Sequence, residues 1–177
     1  MNWRTHRKRR KRKGGSNLIL ELDRIEIFTD GSCHTTARNG AWAALILLRN
    51  KKEILTGVEV DTTHNRMELL SVIKSIEFVD TFRPGASLRI YSDSQYVCTL
   101  PDRLPRLKLN SFRTRKGTEI KNADLVKTFL VLVESHHIEW VKVKAHQRDN
   151  SEPATHNRFV DKLSRKLVRE CTNNASD

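Results

Sequence analysis

Cysteine is scarce in these 177 residues, and the three that occur, Cys33, Cys98 and Cys171, are far apart and odd in number. No Cys-x-x-Cys pair and no Cys/His spacing of a zinc module is present. That argues against a disulfide scaffold or a zinc finger and favours a reducing, intracellular setting. No apolar run approaches the roughly 18 residues of a membrane span. The N-terminus has no apolar stretch long enough for a secretory signal. These absences predict a cytoplasmic protein with no membrane partner. Internal repeats are absent and nothing marks a second folded domain, so the length suits one domain plus a tail.

Acid is missing from the first thirteen residues, which hold eight basic side chains: Arg4, Arg7, Lys8, Arg9, Arg10, Lys11, Arg12 and Lys13. Of the formal net charge of +12, only +4 is left for the rest of the chain. Residues 1–17, closing on Gly14-Gly15-Ser16, read as a disordered basic arm, and residues 18–177 as the folded domain. The arm suits a tether for phosphates, and equally a solvated tail or a localisation signal. A basic balance with pI about 10.0 favours nucleic acid as partner.

In the body, Ile25, Ile27 and Thr29 alternate with Glu26 and Phe28, which predicts a strand ending in an Asp30-Gly31-Ser32 turn. Residues 41–48 form an apolar run fit for a central strand. Arg49-Asn50-Lys51-Lys52 reads as a polar turn, and residues 54–60 as a third, antiparallel strand. Over residues 65–82 the apolar period changes to that of a helix, with Leu69, Val72, Ile73, Ile76 and Val79 inward, ended by Pro84-Gly85. Residues 88–92 predict a fourth strand, parallel to the first by a crossover, which would put Asp30 and Asp93 at the same end of neighbouring strands. A short helix is expected from Ser94 to about Leu100, interrupted by Pro101 and Pro105. Residues 101–121 then hold a local basic patch with Arg103, Arg106, Lys108, Arg113, Arg115, Lys116 and Lys121. Asn122 reads as the cap of a helix facing inward with Leu125, Val126, Phe129, Leu130 and Val133. Residues 138–143 predict a fifth strand and residues 146–153 a polar loop. A last helix over about 157–170 would carry Phe159, Val160, Leu163 and Leu167 inward.

Four acids share a pattern in this layout. Asp30 and Asp93 follow strands, while Glu68 and Asp161 lie near helix starts. Hard divalent cations such as Mg²⁺ take carboxylate oxygens. A pair of such ions activates water and stabilises a leaving oxygen in phosphodiester hydrolysis. Each acid also has a plain structural reading. Asp30-Gly31 suits a turn, Asn65-x-x-Glu68 a capping box and Asp93-Ser94 an N-cap. Asp161 suits a first-turn acid facing the helix dipole, and His146 an ordinary surface histidine. Spacing alone leaves both sets open.

Six segments decide between them: Phe28-Thr29-Asp30-Gly31-Ser32-Cys33, Thr62-Thr63-His64-Asn65-Arg66-Met67-Glu68-Leu69, Tyr91-Ser92-Asp93-Ser94-Gln95-Tyr96-Val97, Lys121-Asn122-Ala123-Asp124-Leu125, Trp140-Val141-Lys142-Val143-Lys144-Ala145-His146 and Asn157-Arg158-Phe159-Val160-Asp161. In this order, over about residues 24–170, they resemble type 1 ribonuclease H, the endonuclease that cuts the RNA strand of RNA–DNA hybrids. The resemblance implies an α/β, ribonuclease H-like fold: a five-stranded mixed sheet flanked by helices. It implies Asp30, Glu68, Asp93 and Asp161 as ligands of two Mg²⁺ ions, with Mn²⁺ as a substitute. In that scheme Asp30 bridges the ions and Asp161 helps hold the one that activates water. Glu68 sits with the second ion, Asp93 shares the coordination, and His146 assists proton transfer or product release. The implied products carry 5′-phosphate and 3′-hydroxyl ends.

By the same resemblance, Cys33, Thr63, Asn65, Gln95 and Asn157 meet the substrate: Asn65 and Gln95 the RNA strand, Thr63 a DNA phosphate. The basic patch (Arg103, Arg106, Lys108, Arg113, Arg115, Lys116) would lie over the DNA strand with salt-dependent, sequence-independent affinity. Met1 and the basic arm favour a free-standing protein, and a monomer is expected. The rivals are the ribonuclease H module of a reverse transcriptase and a catalytically inactive hybrid-binding domain. The chain departs from the family pattern after Cys33, where His34-Thr35-Thr36-Ala37-Arg38-Asn39-Gly40 stands in place of a glycine-rich turn. It departs again at His64, where asparagine is common, and in a longer loop between His146 and Asn157.

Overall fold

A computed structural model describes residues 24–143 and 151–174. Its elements in chain order are β1 (Ile25–Cys33), β2 (Gly40–Leu48), β3 (Lys51–Glu59), α1 (His64–Asp80), β4 (Leu88–Ser92), α2 (Gln95–Leu109), α3 (Ala123–Ser135), β5 (Ile138–Lys142) and α4 (Glu152–Asn174). The strands form one five-stranded sheet in the order β3-β2-β1-β4-β5. The β1/β2 and β2/β3 pairs are antiparallel, and the β1/β4 and β4/β5 pairs are parallel. This is the expected mixed sheet. Short turns allow only antiparallel neighbours, whereas the parallel pairs each need a helical crossover.

The central strand β1 is buried on both faces. Ile25 and Ile27 point into a core shared with Val72, Ile73 and Ile76 of α1, Leu100 of α2 and Phe129 of α3. Phe28 points the other way, into a smaller cluster with Ala43, Leu45, Tyr91 and Val160, the last from α4. Its ring stacks on Tyr91 at 4.3 Å between centroids. Helices therefore cover both faces, with α1, α2 and α3 on one and α4 on the other.

Several local expectations are corrected. Asp30-Gly31-Ser32 is not a turn: β1 continues to Cys33, paired with Gly40 of β2. The turn lies beyond, where His34 N donates to Asn39 O at 2.8 Å and Arg38 takes a left-handed φ of 55°. The β2–β3 connection is only Arg49-Asn50, with Leu48 opposite Lys51. Helix α2 does not stop at Leu100 but runs through Pro101 and Pro105. A proline inside a helix costs about 3 kcal/mol, because its missing N–H leaves a carbonyl unpaired. Here burial of Val97, Leu100 and Leu104, at roughly 1.5–3 kcal/mol each, is of the same order and carries the helix on. Helix α4 starts at Glu152, earlier than expected, with Pro153 in its first turn, where a proline is tolerated. Its Phe159 is 40% exposed rather than inward, while Val160 and Val168 are buried.

No helix among the described residues is long and apolar enough to cross a membrane. The basic arm, Arg7, Lys8, Arg9, Arg10, Lys11, Arg12 and Lys13 included, and His146 lie outside the described residues.

Candidate active site

Asp30 follows Phe28 by two positions on β1, so its side chain shares the face covered by α4. It is 8% exposed. Ser164 of α4 donates its hydroxyl proton to Asp30 Oδ2 in a short hydrogen bond. The parallel register pairs Phe28 with Tyr91. Asp93, two residues beyond Tyr91, therefore leaves the same end of the sheet as Asp30. Its N-cap reading fails, because Ser94 caps α2 by accepting from Val97 N at 3.2 Å. Asp93 instead accepts from Asn157 Nδ2 at 3.4 Å.

Glu68 comes from the other face of the sheet. Its capping-box reading fails as well: the N-cap of α1 is Thr63, and Asn65 is already helical. Glu68 is buried, accepts from Ser94 Oγ at 2.5 Å and pairs with His64 Nε2 at 3.1 Å. It reaches the site because β1 and α1 touch at Gly31. A Cβ on Gly31 would lie 2.2 Å from Glu68 N and 2.4 Å from Met67 C, so only glycine permits this approach. Asp161 lies in the third turn of α4, too far from its start to serve the helix dipole, and pairs with Arg165 Nη2 at 2.8 Å.

Asp30, Glu68, Asp93 and Asp161, with His64 and Arg165, line one cavity of about 240 Å³. Burial pushes Asp30 up to about 7; Asp93 and Asp161 push the same way, and the Ser164 hydroxyl and His64 oppose them. Asp93 is also raised, by burial and then by the charges of Asp161 and Glu68, against its bond from Asn157. His64 is held above its ordinary value chiefly by its hydrogen bond to Glu68. Buried carboxylates that repel one another attract protons or cations.

The donor set is all oxygen and all carboxylate, which fits a hard divalent cation. Among the described residues no three His, Cys, Asp or Glu side chains stand in a ready coordination shell. The acids are held instead by other partners. Ser164, Ser94, His64, Asn157 and Arg165 each hold a carboxylate oxygen.

Beside the acids, Thr63, His64, Asn65, Tyr96, Arg103, Lys121 and Asn122 line a second cavity of about 430 Å³. A third, of about 500 Å³, is lined by Arg103, Arg106, Arg113 and Arg115. Lys108 is turned away to Glu134 at 2.8 Å, and Lys116 lines neither groove. Gln95 is exposed and accepts from Lys142 Nζ. Cys33 is half-buried, its Sγ 3.6 Å from the Thr62 carbonyl. Asn157 is 5% exposed and faces Asp93. Sequence reasoning missed Ser164 and Arg165. The available signal for Ser164 was a hydroxyl midway between Val160 and Val168 at helical spacing.

The RNase H family model matches residues 23–169. A "Ribonuclease H" of Thermoanaerobacter sp. (strain X514) is 34% identical over 153 residues, covering 85% of this chain and 94% of its own. One of Pseudomonas paraeruginosa (strain DSM 24068 / PA7) is 33% identical, covering 86% and 98%. Among solved structures, LC9-RNase H1, described as a type 1 RNase H with the type 2 active-site motif, superposes with a TM-score of 0.71 at 20% identity. That match covers 84% of this chain and 73% of the other.

Proposed function

This chain belongs to the ribonuclease H family, and from that premise we propose that it hydrolyses the RNA strand of RNA–DNA hybrids at the four-carboxylate cavity, with two Mg²⁺ ions, leaving 5′-phosphate and 3′-hydroxyl ends. The family makes the chain an endonuclease acting on hybrids. The convergence of Asp30, Glu68, Asp93 and Asp161 from four separate elements on one cavity carries the assignment of the site.

Asp30, Glu68, Asp93 and Asp161 would hold the ions. Bound there, Mg²⁺ supplies an activated water and charge stabilisation for the leaving oxygen, with Mn²⁺ able to substitute. The protein's part is to orient the acids. Asn157 holds Asp93, Ser94 and His64 hold Glu68, and Arg165 holds Asp161. His146 is assigned proton transfer or product release. The Thr63–Asn65 groove next to the acids suits the hybrid, with the 2′-hydroxyl as the feature that marks the RNA strand. The arginine-lined groove suits the phosphates of the DNA strand. A catalytically inactive hybrid binder would not need all four acids in one cavity.

The test uses end-labelled RNA–DNA hybrid, duplex DNA and duplex RNA, each with Mg²⁺, Mn²⁺ or EDTA. Cleavage confined to the RNA strand of the hybrid and abolished by EDTA is expected. Asp30→Asn should bind hybrid and lose cleavage by several orders of magnitude. EDTA-resistant cleavage, or full activity of that variant, would overturn the assignment.

A further inference from the structure

Ser164 is fully buried on α4, one turn from each of the buried apolar residues Val160 and Val168. A buried hydroxyl needs partners, since leaving it unpaired costs free energy. It has two acceptors in reach and one proton to give. One acceptor is Asp30 Oδ2. The other is the Asp161 carbonyl, one helical turn back, at 3.1 Å. The same turn of α4 thus delivers the Asp161 carboxylate to the cavity and a donor to the carboxylate opposite.

We propose that Ser164 is a positioning residue for the reaction: its hydroxyl fixes one oxygen of Asp30 and leaves the other to the cavity, where a divalent cation is captured. This rests on the reading of Asp30 as a cation-holding acid. Asp30 lies on a strand whose backbone is locked in register with both neighbours, so only its two side-chain torsions remain to be set. The charge-assisted bond from Ser164 sets them before a cation arrives. Of the two contacts the one to Asp30 is the shorter, and the hydroxyl proton goes to that carboxylate. Groups that orient metal-binding side chains typically contribute 10–100-fold to metal affinity or activity.

The experiment compares wild type, Ser164→Ala, Ser164→Thr and Asp30→Asn. Mg²⁺ binding to the hybrid-free protein is measured by titration calorimetry, and kcat and KM with hybrid under saturating Mg²⁺. Ser164→Ala should stay folded in a thermal melt, since alanine suits both the helix and the buried space. It should bind Mg²⁺ about tenfold or more weakly and lose kcat while KM for hybrid stays the same. Ser164→Thr, which keeps the hydroxyl, should recover most of both. Mg²⁺ affinity and kcat of Ser164→Ala within twofold of wild type would overturn the proposal. So would equal losses in the alanine and threonine variants, which trace the effect to packing. If Asp30→Asn loses Mg²⁺ binding and cleavage while Ser164→Ala does not, only the role of Ser164 falls. If Asp30→Asn keeps both, the assignment of the site falls with it.

Discussion

Replacing Asp30 by asparagine should make the metal-free protein more stable at neutral and higher pH, even as it abolishes activity. Asp30 is raised from 3.8 to about 7 in the folded chain, first by burial and then by Asp93 and Asp161. Between those two values the folded state keeps a proton that the unfolded chain has released. The unfolded state then binds fewer protons, so stability falls as pH rises through this window. Below about pH 4 both states are protonated and Asp30 contributes nothing. Above pH 7 the full penalty applies: about 4 kcal/mol, at 1.36 kcal/mol for each unit between 3.8 and 7. Asparagine fills the same space and accepts from Ser164 without a charge. Urea unfolding in EDTA at pH 4, 6 and 8 tests this. Wild type and Asp30→Asn should coincide near pH 4, and the variant should lead by up to about 4 kcal/mol at pH 8. Asp93, also raised, leaves some slope in both proteins. Saturating Mg²⁺ should then stabilise wild type by mass action and the variant far less. A variant no more stable than wild type at pH 8 without metal would refute the account of Asp30 as a buried carboxylate that destabilises the fold when ionised.

Three further outcomes are expected. Gly31→Ala should destabilise the fold by about 1–3 kcal/mol and cut kcat sharply in hybrid cleavage, because the new Cβ meets the α1 backbone at 2.2 Å and pushes Glu68 off the cavity. Arg103, Arg106 and Arg113 changed together to alanine should weaken hybrid binding, and the slope of log Kd against log salt should shrink by about 0.9 for each phosphate no longer neutralised; an unchanged slope would leave that groove without a role. Phe129→Ala should cost about 3–5 kcal/mol in denaturant unfolding, since its ring is fully buried where α3 meets the sheet.

Much of the fold was legible in the residues. The strand at residues 88–92 and the inward face of α1 follow from period, because a strand repeats every two residues and a helix every 3.6. The prolines of α2 misled because local chemistry argues for a break, while three buried side chains elsewhere in the same helix argue against it. The start of α4 misled because the residues it buries first are a small one, Ala154, and two polar ones, His156 and Asn157, which an apolar period does not reveal. The plain readings of Glu68, Asp93 and Asp161 could not be dismissed from spacing. The resemblance weighed against them, and the structure removes their local basis: the caps are Thr63 and Ser94, and Asp161 lies in mid-helix.

The sequence by itself determined which chemistry was possible: four carboxylates at strand ends and on helices, in an order that resembles one family, with basic residues set apart from them. It could not determine that the acids meet. Positions 30, 68, 93 and 161 are far apart along the chain, and no local interaction brings them together. That took the parallel crossover from β1 to β4, which sets Asp30 and Asp93 side by side, and the contact at Gly31, which admits Glu68 from one face. Helix α4, packed on the other face, brings Asp161 together with the hydroxyl that holds Asp30. Burial then raises the proton affinity of Asp30 and Asp93, and burial belongs to the assembled structure and to no residue alone.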